Sequence, residues 1–236
     1  MPHTSKKYKK SNASGSSPNR TTLFAVIAVI AIIAIAGGYF VYSSAQHSTT
    51  TTTTSSQTTA TSSSGLIYAK FVTTQGTFEV ELFQNQTPKT VANFVSLANQ
   101  GFYNNLVWHR IVKGFVIQTG DPTTKNGAGV PCTWGGGSSN TTISFEAPSS
   151  LHNDVGYLGM ASTGAGTPGT SQFYINLANN DASLDGKYAV FGKVINGMSV
   201  VDAIGNLPTA SCAQGGTPPS NPSQATLISV TIQSSP

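Results

Sequence analysis

The stretch LFAVIAVIAIIAIAGGYFVY, Leu23 to Tyr42, runs twenty residues without a charge, and it divides the chain before any other feature is read. A helix needs about 20 apolar residues to cross roughly 30 Å of hydrocarbon, so the run is long enough to span a bilayer. No polar face interrupts it, which argues against a helix packed on a soluble core. A cleaved secretory signal is the alternative, with Ser43-Ser44-Ala45 as the small-residue site. The apolar part of such signals usually covers about 7–15 residues, shorter than this run. The reading is therefore a single transmembrane helix over 22–43, preceded by a basic cytosolic tail over 1–21, with the lysines on the inner side. Everything beyond is placed outside the cell membrane as the exposed part of a single-pass protein. If the run is cleaved, the remainder is secreted instead.

Residues 44–64 form a linker that is almost entirely serine and threonine from position 48 onward. Such a segment cannot bury enough apolar surface to offset its conformational entropy, and it reads as a disordered stalk. Charge divides along the same line. Of the twelve Lys and Arg, the residues Lys6, Lys7, Lys9, Lys10 and Arg20 fall in the first twenty positions, where no acid occurs. From Gly65 onward seven Lys and Arg face eight Asp and Glu. The formal net charge of +4 thus belongs to the tail, and no basic folded surface for nucleic acid is implied.

The two cysteines, Cys132 and Cys212, both lie in Gly-, Pro- and Ser-rich stretches. Outside the cytosol a disulfide between them is permitted, and in the chain-entropy picture it would contribute roughly 4 kcal/mol. Two free loop thiols are the alternative. Neither cysteine has a second cysteine or a histidine at ligand spacing, so no metal site is expected.

From Gly65 to Pro236 the pattern is that of one folded domain. IYAKFVTTQGTFEVELF reads as two strands about a Thr-Gln-Gly turn, with Phe78, Val80 and Leu82 alternating against Thr77, Glu79 and Glu81. The period then changes. In TPKTVANFVSLANQGF, Val91, Phe94, Val95 and Ala98 share one helical face, Thr87 is placed as N-cap, Pro88 opens the helix and Gly101 follows its end. Short β-like runs follow: LVWHRIV, FVIQTG, TISFE, GYLGMAS, SQFYINL, YAVFGKVI and ATLISVTIQ, with a second helix near MSVVDAIG. Many short strands and few helices indicate a closed or sandwich-like β architecture. Periodicity alone does not choose between barrel and sandwich. GAGTPG, 164–169, fits a dinucleotide fingerprint by spelling only. Pro168 interrupts it, and the sequel looks like a strand where the fingerprint requires a helix.

One residue resists a purely structural reading. Arg110 is one of two arginines, it sits in an apolar strand-like run, and no carboxylate lies within ten positions of it. A guanidinium with five fixed donors is an unusual choice for such a segment. WHRIVKGFVIQTGDP, GYLGMAS, SQFYINL and LDGKYAVFGKVINGM, in this order, resemble the cyclophilin family of peptidyl-prolyl isomerases over roughly 66–233. The resemblance implies an eight-stranded antiparallel closed β-barrel capped by two helices, and catalysis of X-Pro rotation without cofactor or metal. It also implies proline-containing polypeptides as partners and a monomer. Arg110 matches the catalytic arginine. Phe115 matches the floor of the proline pocket, Val116 stands where methionine is common, and Gln118 matches a glutamine that meets substrate backbone and orients the arginine. Ala161 and Ser162 match a backbone segment that pairs with substrate as an added strand, and Gln172 and Leu184 match a glutamine beyond the pocket and a pocket wall. Three positions depart from the family: Tyr174 replaces phenylalanine, Tyr188 replaces a common histidine, and Ser183 replaces the tryptophan that favours cyclosporin. His109 is expected to be structural, on the strand face opposite Arg110. His152 has no evident partner, and Trp134 reads either as an exposed contact or as a loop anchor.

The expected function is folding assistance to exported or surface proteins by accelerated X-Pro rotation. The alternatives are a tethered module that binds proline peptides without turnover, and a surface adhesion protein suggested by the stalk alone.

Overall fold

The computed structural model describes residues 65–213 and 216–236. The apolar run, the basic tail and the Ser/Thr linker lie outside the described residues. Among the described residues no helix is long and apolar enough to cross a membrane.

Two strands open the domain, β1 (Ile67–Thr73) and β2 (Gly76–Leu82), paired antiparallel in the register Phe71↔Phe78. Alternation along β2 buries Phe78, Val80 and Leu82, as a half-wet strand requires. Helix α1 (Pro88–Asn99) buries Val91, Phe94, Leu97 and Ala98 against the strands Gly169–Asn176 and Thr226–Gln233, while Val95 stays half-exposed. Then come β3 (Leu106–Val107), β4 (Arg110–Val112), β5 (Val116–Thr119), β6 (Tyr157–Ser162) and β7 (Gly169–Asn176). A single helical turn, α2 (Asp181–Leu184), precedes β8 (Val190–Asn196), α3 (Met198–Gly205) and β9 (Thr226–Gln233).

All nine strands form one antiparallel sheet in the order β3-β9-β1-β2-β8-β6-β7-β5-β4. Its two edge strands, β3 and β4, are consecutive in the chain and separated only by Trp108 and His109. Three Cα steps reach at most about 11 Å, so the edges are brought close and the sheet must curl. No ladder joins them. This corrects two expectations: the sheet has nine strands, not eight, and it is a curled half-barrel, not a closed one. The cause lies in LVWHRIV. Leu106, Val107, Trp108 and His109 are all buried, which a strand alternating between core and solvent cannot achieve. The chain leaves the ladder at Trp108 and resumes on the other edge.

The core is aromatic. Phe71 stacks on Phe78 at 4.6 Å, Phe94 meets Phe173 edge-on at 5.5 Å, and Tyr103, Trp108 and Phe191 complete the cluster. Each such side chain contributes about 1.5–3 kcal/mol by burial, with edge-to-face pairs adding to it.

Two other local expectations change. Thr87 precedes α1, but its hydroxyl donates to the Phe83 carbonyl and makes no cap bond. The Glu146 carboxylate caps the helix instead, accepting from the N–H groups of Lys89 (3.1 Å) and Thr90 (2.8 Å) and from the Thr90 hydroxyl. An anion there also complements the positive end of the helix dipole. Glu146 comes from TISFE, which is not a strand: only Ile143 bridges Gly169. Cys132 and Cys212 form a disulfide with Cα atoms 5.5 Å apart. Trp134 is an anchor, its indole N–H donating to the Ala128 carbonyl at 2.9 Å while its ring packs on the core.

Candidate active site

Strands β4 and β5 form a hairpin closed by Lys113-Gly114-Phe115, with Gly114 at φ 69°. The tight turn needs that left-handed residue, and glycine takes it without strain. The hairpin register sets Arg110 directly across from Gln118, so the two side chains leave the same face of the sheet. Arg110 Nη1 donates to Gln118 Oε1 at 3.3 Å, and the guanidinium carbon lies 5.7 Å from the centre of the Phe115 ring. Among the described residues no carboxylate forms an ion pair with Arg110. Partial burial lowers its pKa from the ordinary value, and Tyr188 opposes that shift. The charge persists, since guanidinium does not deprotonate in proteins.

A cavity of about 300 Å³ opens in front of this guanidinium. Phe115, Val116, Tyr174 and Leu184 supply its apolar walls, with Gln118, Ala161, Ser162 and Tyr188 around them. Val116, Tyr174 and Leu184 pack with Phe115, Ala161 and Tyr188 as a cluster distinct from the main core. These side chains therefore line a recess and do not fill the sheet interior. At Ala161 the β6–β7 register jumps from Met160↔Phe173 to Ser162↔Gly169, so Ala161 has no cross-strand partner there. Ser162 turns its hydroxyl to the Gly164 carbonyl.

Gln172 lies apart from this group. It lines an adjoining cavity of about 260 Å³ that shares Gln118, Ala161 and Ser162 with the first. Its link to the arginine is through hydrogen bonds: Gln118 Nε2 donates to Gln172 Oε1 at 2.9 Å. His109 is buried away from the cavity, against the loop at Gly135, with no hydrogen-bond partner on either ring nitrogen. Burial pushes its pKa down to about 4, against the pull of Asp121.

Tyr174 explains its departure from phenylalanine. Its hydroxyl donates to Asn153 Oδ1 at 2.7 Å, so a buried polar group is satisfied. The ring fits because β6 carries Gly159 beside it; a Cβ there would overlap the phenol. Asn153 is held in turn by Asp185 Oδ1, which accepts from its N–H (2.7 Å) and its side-chain amide (2.9 Å). Asp185 Oδ2 meets His152 Nδ1 at 2.6 Å, supplying the partner that sequence did not reveal. Burial raises the Asp185 carboxyl, but bonds from Asn153 and His152 outweigh it and leave the pKa lowered. Asn153 and Asp185 were missed because their roles arise from contacts across the fold. The phenol of Tyr174 was the only signal that such a partner must exist.

The family profile described as "Cyclophilin type peptidyl-prolyl cis-trans isomerase/CLD" matches residues 68–232. The chain belongs to the cyclophilin family. It is 44% identical over 144 residues to a peptidyl-prolyl cis-trans isomerase-like 1 of Aspergillus fumigatus, covering 60% of this chain and 83% of that relative. It is 38% identical over 166 residues to a peptidyl-prolyl cis-trans isomerase of Acinetobacter baylyi, covering 69% of this chain and 83% of that one. A Cryptosporidium parvum cyclophilin-type isomerase superposes with a TM-score of 0.63 at 30% identity, over 72% of this chain and 99% of its own. A second structure of that isomerase, in the presence of the dipeptide Ala-Pro, superposes at 0.60 with 30% identity, over 71% and 99%. This cyclophilin domain is a peptidyl-prolyl cis-trans isomerase.

Proposed function

We propose that this isomerase turns over X-Pro bonds of exported or surface proteins with Arg110 as its catalytic group, held outside the membrane by the run over 22–43. The observation that carries the catalytic assignment is the Arg110 guanidinium at the mouth of an apolar recess, without an acidic partner and oriented by a neutral amide. The reaction has no bond to break except amide conjugation, whose barrier is about 18–20 kcal/mol. As the bond twists, the prolyl nitrogen loses conjugation and its lone pair localises. A donor aimed at that nitrogen binds the twisted state better than either planar state, which is what acceleration requires. Phe115, Val116, Tyr174 and Leu184 take the proline ring. Gln118 holds Arg110 in line and presents its amide to substrate backbone. Ala161, which lacks a cross-strand partner, and Ser162 next to it offer main chain beside the recess. Tyr188 borders the recess, and Gln172 borders the adjoining cavity. The Ala-Pro dipeptide in the neighbouring Cryptosporidium structure supports a proline-sized occupant.

The Cys132–Cys212 bridge supports the placement outside the cytosol, where disulfides persist. The lysines before the apolar run support the same orientation. On this reading the clients arrive unfolded after export, when prolyl rotation is among their slow steps.

The test is Arg110→Ala in the full-length protein, assayed on an X-Pro peptide for both turnover and binding. Turnover should fall about a hundredfold or more while peptide affinity changes little, the signature of an interaction made mainly in the transition state. Equal losses in both would reduce Arg110 to ground-state binding. An unchanged rate would overturn Arg110 as the catalytic group, whereas a wild-type rate no faster than buffer, with peptide still bound, would leave the tethered peptide-binding module as the better reading.

A further inference from the structure

A glutamine amide has an acceptor end and a donor end, so each one in a buried row must be told which way to face. In this protein the instruction comes from one loop. Gln172 Nε2 donates to the carbonyls of Gly135 (2.9 Å) and Gly137 (2.6 Å). That fixes Gln172 Oε1 toward Gln118 Nε2, and so leaves Gln118 Oε1 facing Arg110. Were either amide reversed, two oxygens or two N–H groups would meet in a half-buried site, an uncompensated pair. The loop is itself held by Asp121, which is buried at the end of β5. Its Oδ2 accepts from the N–H groups of Gly135 (2.6 Å) and Gly137 (3.2 Å), and its Oδ1 from the N–H (2.8 Å) and hydroxyl (2.7 Å) of Thr123. Both oxygens are filled by donors. The loop passes so close that a Cβ on Gly137 would overlap the carboxylate.

We infer that Asp121 is a positioning residue for the isomerase: through the Gly135–Gly137 loop and the Gln172–Gln118 row, it sets the direction in which Arg110 presents its N–H groups. The inference rests on the reading of Arg110 as the catalytic donor. A carboxylate suits this place because four donors converge on it. In Asp121→Asn an NH2 facing the loop amides would meet two N–H groups and release the loop, and one facing Thr123 would meet the Thr123 N–H. In either orientation the charge that strengthens the two bonds to the loop is gone, so the hold on the loop is weakened. Its carbonyls then fix Gln172 less firmly, and misplacement passes along the row to the guanidinium.

A double-mutant cycle in the full-length protein tests this, with turnover, KM and peptide affinity measured for the wild type, Asp121→Asn, Gln172→Ala and the pair. Asp121→Asn should lower kcat about tenfold, within the range that remote misplacement costs, while KM and affinity stay within about twofold. With Gln172→Ala the row is already cut, so adding Asp121→Asn should change kcat no further. The side-chain amide NMR signals of Gln118 and Gln172 should move in Asp121→Asn. An unchanged kcat in Asp121→Asn, or a loss repeated in full on Gln172→Ala, would overturn the inference. Arg110→Ala turning over like the wild type would instead overturn the reading beneath it, so the two failures are distinct. If Asp121→Asn does not fold, Gly137→Ala, which displaces the loop while keeping the carboxylate, carries the same expectations.

Discussion

Opening the Cys132–Cys212 bridge is the perturbation whose size follows most directly from the fold. The bridged residues are 80 positions apart, and closing a loop of that length removes denatured-state entropy equivalent to roughly 4–5 kcal/mol at 25 °C. That figure is an upper bound, because opening the bridge also gives the loop around Cys212 some freedom in the folded state, limited by three backbone bonds that still tether it. Ile111 N–H donates to the Thr217 carbonyl at 3.0 Å, Ala210 N–H to Pro218 at 2.9 Å and Cys212 N–H to Gly216 at 3.1 Å. A loss of about 2–4 kcal/mol is therefore expected for Cys132→Ser with Cys212→Ser. In a domain of this size that is roughly a 5–15 °C fall in Tm. The assay is guanidinium unfolding of the full-length protein with and without reductant, beside the double serine variant. Trp134, near Cys132, reports local release by fluorescence, and far-UV circular dichroism reports global unfolding. The reduced protein and the double variant should agree. A loss below about 1 kcal/mol would refute the reasoning, since it would mean the bridge constrains neither state.

Two further outcomes are expected. His109 is neutral in the fold with a pKa near 4 against an ordinary 6.5, so the unfolded chain binds more protons between those values. Stability from this group is full above the unfolded value and is lost as pH falls, by about 2 kcal/mol between pH 7 and pH 5. His109→Leu should flatten that slope in urea unfolding, and an unchanged slope would assign it elsewhere; the lowered carboxyls of Asp121 and Asp185 titrate below this window. Gly159→Ala should cost about 1–3 kcal/mol by overpacking and raise KM more than it lowers kcat, because the new methyl strikes Tyr174 in the recess wall; an unaffected KM would show that the ring yields without disturbing the pocket.

What the sequence made legible was whatever repeats within a few residues. The β1–β2 hairpin and α1 and α3 follow from period and from Pro and Gly at their ends. The residues that gather around Arg110 lie in contiguous blocks whose order could be read directly. What stayed hidden depends on partners far away in the chain. Glu146 caps a helix 56 residues earlier, and no local pattern marks it. Asp185 sits 33 residues from His152. The break at Trp108-His109 was hidden for another reason: LVWHRIV has good strand propensity throughout. Only the need to bury four consecutive side chains and to feed both edges of one sheet divides it. The pairing of the cysteines likewise stayed open until the loops bearing them were placed side by side.

The absence of a carboxylate beside Arg110 can be understood from where this region keeps its negative charge. An acid directly on the guanidinium would make a strong bidentate pair and fill the donors that the proposed mechanism offers to a twisted prolyl nitrogen. Leaving the arginine with no partner would free the donors but also the side chain, at a cost in rotamer entropy whenever it must point one way. The fold separates the two tasks. Asp121 spends its charge on the loop amides of Gly135 and Gly137, and two neutral glutamines carry orientation from that loop to Arg110 while taking only one of its N–H groups. Burial pulls on the same charge by lowering the arginine pKa, so the group is more strongly bound to any acceptor that enters the recess than it would be in water. On the proposed mechanism the acceptor that enters during rotation is the prolyl nitrogen.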